Sequence, residues 1–149
     1  MEIFPNEGLD YLLGIVPRGG AAPSTLYLFL FTSQTAATVP AADAVLATET
    51  GVTEAAYPGY ARVAVAAADW GAPVSETLWS QAVRAVTAEQ KVFPAATGAD
   101  ATPIHGFGVA TAATGGVALC YSNFDDEVAI PELALGDTIK VTPKFGFSD

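Results

Sequence analysis

Few residues in this chain could do acid–base, nucleophilic or metal chemistry. His105 is the single histidine and Cys120 the single cysteine. A Ser-His-Asp or Cys-His site would have to use His105, and a catalytic thiol needs a polarising neighbour. His105 stands between Ile104 and Gly106, and Cys120 between Leu119 and Tyr121, both in strand-like stretches. Both contexts predict structural side chains. One histidine and one cysteine do not make the usual zinc ligand set, and a lone cysteine excludes an intramolecular disulfide. Asp125-Asp126-Glu127 is the densest acidic cluster. Its oxygens suit Ca²⁺, but the EF-hand spacing is missing, so a solvated loop is expected. Trp70, Trp79 and Tyr60 could stack on a sugar ring, though tryptophans in a β-rich domain more commonly serve a core or an interface. Gly106-Phe107-Gly108 has no phosphate-loop context, and nothing marks any acidic pair for glycoside hydrolysis. The expectation is a protein that is not an enzyme, with no cofactor and no metal.

Composition narrows the class further. The 149 residues suit one domain, 1–149, with its own core. Six basic residues stand against sixteen acidic ones, a formal net charge of −10. Phosphate contacts need clustered Lys and Arg, so nucleic acid is not an expected partner, and an anionic membrane surface is disfavoured for the same reason. Only 15% of residues are charged and 51% are apolar, whereas an ordinary soluble domain carries about 25% charged residues. Such a surface is expected to be partly hidden in an oligomer. The longest strongly apolar run, Leu26–Phe31, is far short of a membrane-spanning helix. The first residues lack a basic n-region, so no signal peptide is expected.

The elements that must position these residues read as mostly β. Asn6–Val16 is expected to be a helix, with Asn6 as N-cap, Glu7 and Asp10 in the first turn, and Leu9, Leu12, Leu13 and Val16 at helical spacing. Thr25–Thr32 is apolar on both faces, which predicts a central strand covered on both sides, one of them by that helix. Ser33–Tyr57 lacks periodicity and reads as an exposed excursion, with a helical turn near Ala41–Ala47. Tyr60–Ala68 alternates as a strand, Glu76–Val86 fits helix or strand, and Gln90–Ala95 reads as an edge strand because of Pro94. Ile104–Thr111 and Val117–Ser122 form a hairpin across a Gly115-Gly116 turn. Gly106 and Gly108 mark a bulge or close backbone approach, and the stretch Leu135–Thr142 supplies a closing strand, entered by a turn at Glu132–Asp137. The fold class is all-β: one antiparallel β-sandwich or jelly-roll-like domain with a short N-terminal helix.

The order of these features resembles a known group. It comprises an Asn-x-Gly-Leu-x-x-Leu-Leu helix (Asn6, Gly8, Leu9, Leu12, Leu13), an apolar strand (Leu26–Thr32), an Ile-x-Gly-aromatic-x-Val strand (Ile104, Gly106, Phe107, Val109) and a terminal Gly136-Asp137-Thr138-Ile139-Lys140-Val141-Thr142. Together they resemble small tailed-bacteriophage structural proteins, closest to capsid decoration (cement) proteins. The resemblance implies a virion protein on the capsid surface, made in the host cytoplasm. Its partner would be the major capsid protein, which it would clamp as a homotrimer at local three-fold positions. Candidate contacts are Leu9, Leu12, Tyr57, Tyr60 and Trp79. The alternatives are a tail, neck or baseplate accessory protein and a carbohydrate-binding β-sandwich.

Overall fold

The computed structural model describes residues 2–15, 17–32, 40–78, 81–124 and 129–148. Val16, the 33–39 part of the expected excursion, Trp79 and the 125–127 acidic cluster lie outside them. The chain order is β1 (Glu2–Ile3), α1 (Asn6–Ile15), β2 (Thr25–Phe31), β3 (Val63–Ala66), β4 (Val74–Leu78), β5 (Gln81–Thr87), β6 (Lys91–Val92), β7 (Gly106–Ala110), β8 (Ala118–Asn123), β9 (Lys140–Val141) and β10 (Lys144–Ser148). Every strand pairing is antiparallel. The strands form a five-stranded sheet, β1-β8-β7-β2-β3, a three-stranded sheet, β10-β5-β4, and a two-stranded ribbon, β6-β9. The all-β fold with one short N-terminal helix is as expected.

β2 carries the core. Leu28, Phe29, Leu30 and Phe31 are each 0% exposed, and the period-2 geometry of a strand sends them alternately to opposite faces. Leu28 and Leu30 join Val65, Val109, Phe93, Ile139 and Val141 in one cluster. Phe29 and Phe31 join Ala44, Leu46, Val52 and Tyr121 in the other. The β6-β9 ribbon and its loops therefore cover one face of the large sheet, and the 44–52 segment covers the other. That segment is not the exposed excursion its composition suggested: Ala44, Leu46, Val52, Ala55 and Tyr57 are all buried. The helical turn there is a single 3₁₀ turn at Leu46–Thr48.

Phe29 pairs with Gly108 and Phe31 with Gly106 across the β2–β7 ladder. The rings lie over those glycines and reach Tyr121 of β8 edge-on, with centroids 5.8 and 6.0 Å apart. A Cβ on Gly108 would meet the Phe29 ring, 2.6 Å from Cε1, and the Cys120 carbonyl oxygen at 2.7 Å. The expected close approach is thus real. The bulge lies one position on, where the β7–β8 register shifts between Val109 and Ala110.

α1 departs from its expected packing. It lies against β8, not across β2, and its contact residue is the buried Gly8. A side chain at Gly8 would strike the Ala118 and Leu119 carbonyl oxygens, at 2.6 and 2.7 Å. Glu7 ties the helix down, its Oε1 accepting from the backbone N–H groups of Ala118 (2.9 Å) and Leu46 (3.2 Å). Asn6 is the first helical residue instead of the N-cap, its own N–H bonded to the Ala42 carbonyl. With Gly8 facing inward, Leu9 and Leu13 face outward, 44% and 59% exposed.

Three strand expectations also change. Tyr60–Ala68 shortens to β3 because Tyr60 and Arg62 turn to side-chain bonds. Glu76–Val86 resolves into the end of β4 and most of β5, a hairpin. The closing strand follows the expected turn, where the Asp137 N–H bonds the Ala134 carbonyl, but it is short and broken, with Pro143 separating β9 from β10. β9 pairs with β6 and β10 with β5, so neither extends the β7–β8 hairpin. His105 sits just before β7, its N–H bonded to the Phe31 carbonyl at 2.9 Å.

Gly108→Ala should destabilise the fold by about 1–3 kcal/mol, the usual range for overpacking. Urea unfolding should show a lower midpoint at unchanged m-value.

Candidate attachment surface

The most tightly connected polar group lies beneath the β7–β8 turn. β3 ends its pairing with β2 at Val63↔Leu28, which leaves the Leu30 N–H beyond the ladder. The Tyr60 hydroxyl accepts from it at 3.1 Å and donates to Glu54 Oε1 at 2.8 Å. Arg62 grips Glu54 with two bonds, Nε to Oε1 at 2.8 Å and Nη2 to Oε2 at 2.6 Å. Its Nη1 donates to the Ala112 and Gly115 carbonyls, both at 2.7 Å. The guanidinium also lies 5.5 Å from the Phe29 ring centroid. Burial opposes its charge, but the Glu54 contacts outweigh that and hold its pKa above the ordinary arginine value. Burial, followed by the Glu54 charge, pushes the Tyr60 hydroxyl far above its usual range. This is a lock holding the hairpin turn to β3.

Tyr60 is therefore an internal strut, and so is Tyr57. Tyr57 is 4% exposed, donates to the Pro94 carbonyl at 3.0 Å and meets Tyr60 edge-on at 5.2 Å. Neither ring is presented to a partner. Trp70 stacks on Phe145 with centroids 5.3 Å apart, so one ring face is taken up within the chain. Of the five candidate contacts, Leu9 and the half-buried Leu12 lie at the surface on α1, and Leu13 joins them.

The chemistry-bearing residues are not brought together. Cys120 is buried opposite Val109, four residues along β7 from His105, or about 13 Å at strand rise. No group of three His, Cys, Asp or Glu among the described residues could hold a metal ion. His105 Nδ1 is buried with no hydrogen-bond partner among them, and burial lowers the imidazole pKa below 6.5. Asp69 accepts from Lys91 Nζ at 2.6 Å and from the Ala66 N–H at 2.7 Å. The Lys91 bond first, and then the Ala66 bond, lower its pKa.

A second exposed feature escaped the sequence reading. An open cleft of about 530 Å³ is lined by Phe124, Ile130, Leu133 and Ile139, with Glu132 and Lys140 among its polar residues. Leu135, in the same loop as Leu133, is 74% exposed. Four aliphatic residues within a Pro- and Gly-containing stretch, 130–139, were the available signal.

A β-rich chain held by a packed double-faced sheet, with exposed apolar groups on α1 (Leu9, Leu13), β4 (Val74), β6 (Val92) and the 130–139 loop (Leu135), has the makings of a structural building block. A family model, Podophage GP4 fiber I protein gp80, matches residues 5–144. The chain belongs to that family, and is thus a tailed-phage structural protein associated with the virion. Comparison with curated proteins gave no match.

Arg62→Ala should cost about 3 kcal/mol or more, because Glu54 would keep a half-buried charge without its cation. Chemical denaturation would measure it. His105 gives a pH dependence. Its folded pKa lies below the unfolded value, so the unfolded chain binds the proton first as pH falls. Stability should decline from about pH 6.5 downward until the folded ring also titrates. Unfolding midpoints at about pH 7.5 and pH 5 should lie closer together in His105→Gln than in the parent.

Proposed function

We propose that this protein is a structural subunit of a virion fibre, acting by assembly and not by catalysis. The observation that carries this reading is the family match over residues 5–144, whose description names a fibre protein. It favours an appendage over the capsid-shell clamp first inferred by resemblance. The physical properties fit a role in a crowded particle. A net charge of −10 opposes non-specific clumping, and with a single cysteine the core closes by packing without an intramolecular disulfide. Attachment runs through surface contacts repeated over many copies, each weak by itself and strong in sum. The assembly partners are copies of this chain, with a trimer as the first stoichiometry to test, and another virion protein at the anchoring end.

Antibodies to the purified protein, visualised with gold on intact virions, should decorate fibres. Decoration of capsid facets would restore the shell-clamp reading, and unlabelled virions would overturn a virion role.

A further inference from the structure

Residues 2–15 form an arm, β1 and α1, that lies along β8. The buried residues of both core clusters fall between Leu28 and Val141, so the arm lies outside both cores. It nevertheless has a built seat. Glu2 pairs with Ser122 and Ile3 with Tyr121 along the edge of β8. Pro5 is fully buried, and Phe4 and Tyr11 pack partly buried against the leucine-side cluster. The Asn6 N–H bonds the Ala42 carbonyl at 2.7 Å, and Gly8 meets the β8 backbone. Glu7 Oε1 accepts from the N–H groups of Ala118 and Leu46. Both of those residues are buried, and a buried N–H left without an acceptor costs about 1–3 kcal/mol. The seat therefore calls for an arm, but nothing in its chemistry requires that arm to come from the same copy.

The tether between arm and body is suited to exchange. Residues 17–24 are exposed apart from the half-buried Pro23 and contain neither helix nor strand. The Gly19 and Gly20 N–H groups bond the Ile15 and Gly14 carbonyls, both at 3.0 Å, contacts that travel with the helix. Pro17 and Pro23 favour extended backbone before them. Fully extended, residues 17–24 span roughly 26 Å, which carries the arm to an abutting copy. We propose that copies join by exchanging this arm, with β1 and α1 of one copy occupying the β8 seat of another. The occupant is a second copy of this chain because the seat fits this arm residue by residue. Exchange makes each arm contact in trans in place of the same contact in cis, so the high local concentration of an assembling fibre favours it. One-way exchange extends as a filament or closes as a ring, and reciprocal exchange gives a dimer. The inference rests on the fibre reading and names the contact by which copies join.

The test places one cysteine on the arm and one on its seat, Glu2→Cys with Ser122→Cys, in a Cys120→Ala background. Paired antiparallel positions have Cα atoms about 4.5–5.5 Å apart, within disulfide range. The full chain is concentrated, oxidised and separated under denaturing, non-reducing conditions. Covalent dimers and larger species are expected, with peptide mapping placing the bond between positions 2 and 122. Mixing the two single-cysteine variants should form the same bond, which only an arm seated in trans can make. Cross-linked monomers alone at every concentration, or a mixture without that bond, overturn the proposal. Sedimentation, with circular dichroism to verify folding, gives an answer independent of the disulfide. Gly8→Leu, whose side chain would strike the Ala118 and Leu119 carbonyls, should weaken association about tenfold or more. Leu13→Glu should leave association unchanged, because that side chain faces outward whichever copy holds the arm. The reverse pattern, or a parent monomeric at every concentration, also overturns the proposal. Gold on fibres without arm exchange leaves the fibre reading standing, whereas exchange in a protein absent from virions removes that reading and keeps this one.

Discussion

The row Phe29–Gly108–Tyr121 is the constraint on which the rest of the structure depends. Two phenylalanines on β2 lie flat over the backbone of β7 because Gly106 and Gly108 have no side chains, and they reach the β8 tyrosine edge-on. Edge-to-face geometry favours such aromatic pairs beyond the area they bury. The arrangement fixes the β2–β7–β8 register, since a one-residue slip would set the rings against Phe107 or Val109 and exchange the faces of β2. With register fixed, β2 presents apolar groups to both sides, and the chain must build a cover for each.

The two covers are unlike. On the leucine side the β6-β9 ribbon supplies Phe93, Ile139 and Val141. On the phenylalanine side the cover among the described residues is the 44–52 segment, pinned by the Glu7 carboxylate that joins α1, Leu46 and Ala118. That bond and the Gly8 contact set the rotation of α1 together. Since the small residue of the helix faces β8, Leu9 and Leu13 face away. The outward apolar face thus follows from how the core is closed.

Much of this architecture was legible in the sequence. The apolar run at β2, the Gly-Gly hairpin and the helix after Pro5 each carry a strong local pattern, and each forms. The 40–57 stretch misled because its buried residues, Pro40, Ala44, Leu46, Val52, Ala55 and Tyr57, recur at neither helical nor strand spacing and so mark no face. The helix misled because hydrophobic spacing names the apolar side but cannot say whether a glycine on another side allows a closer approach. Leu9 and Leu12 were readable as apolar residues of the helix. Tyr57 and Tyr60 were not readable as struts, because their hydroxyls are satisfied by Pro94, Leu30 and Glu54, groups set by the tertiary path. The cleft depends on how the 130–140 loop returns past Phe124, a path that the aliphatic residues of 130–139 hint at but do not set.

Cys120 has a use that follows from its position. It is the chain's one thiol and is 4% exposed, on β8 opposite Val109. β8 is flanked by β1 on one side and β7 on the other. A thiol reagent reaches it only when the core packing over that face of the sheet lifts or the whole domain opens, so its labelling rate reports opening at this one site. The molecule carries its own clock for mechanical and thermal opening, and it can be read in free subunits and in assembled particles alike.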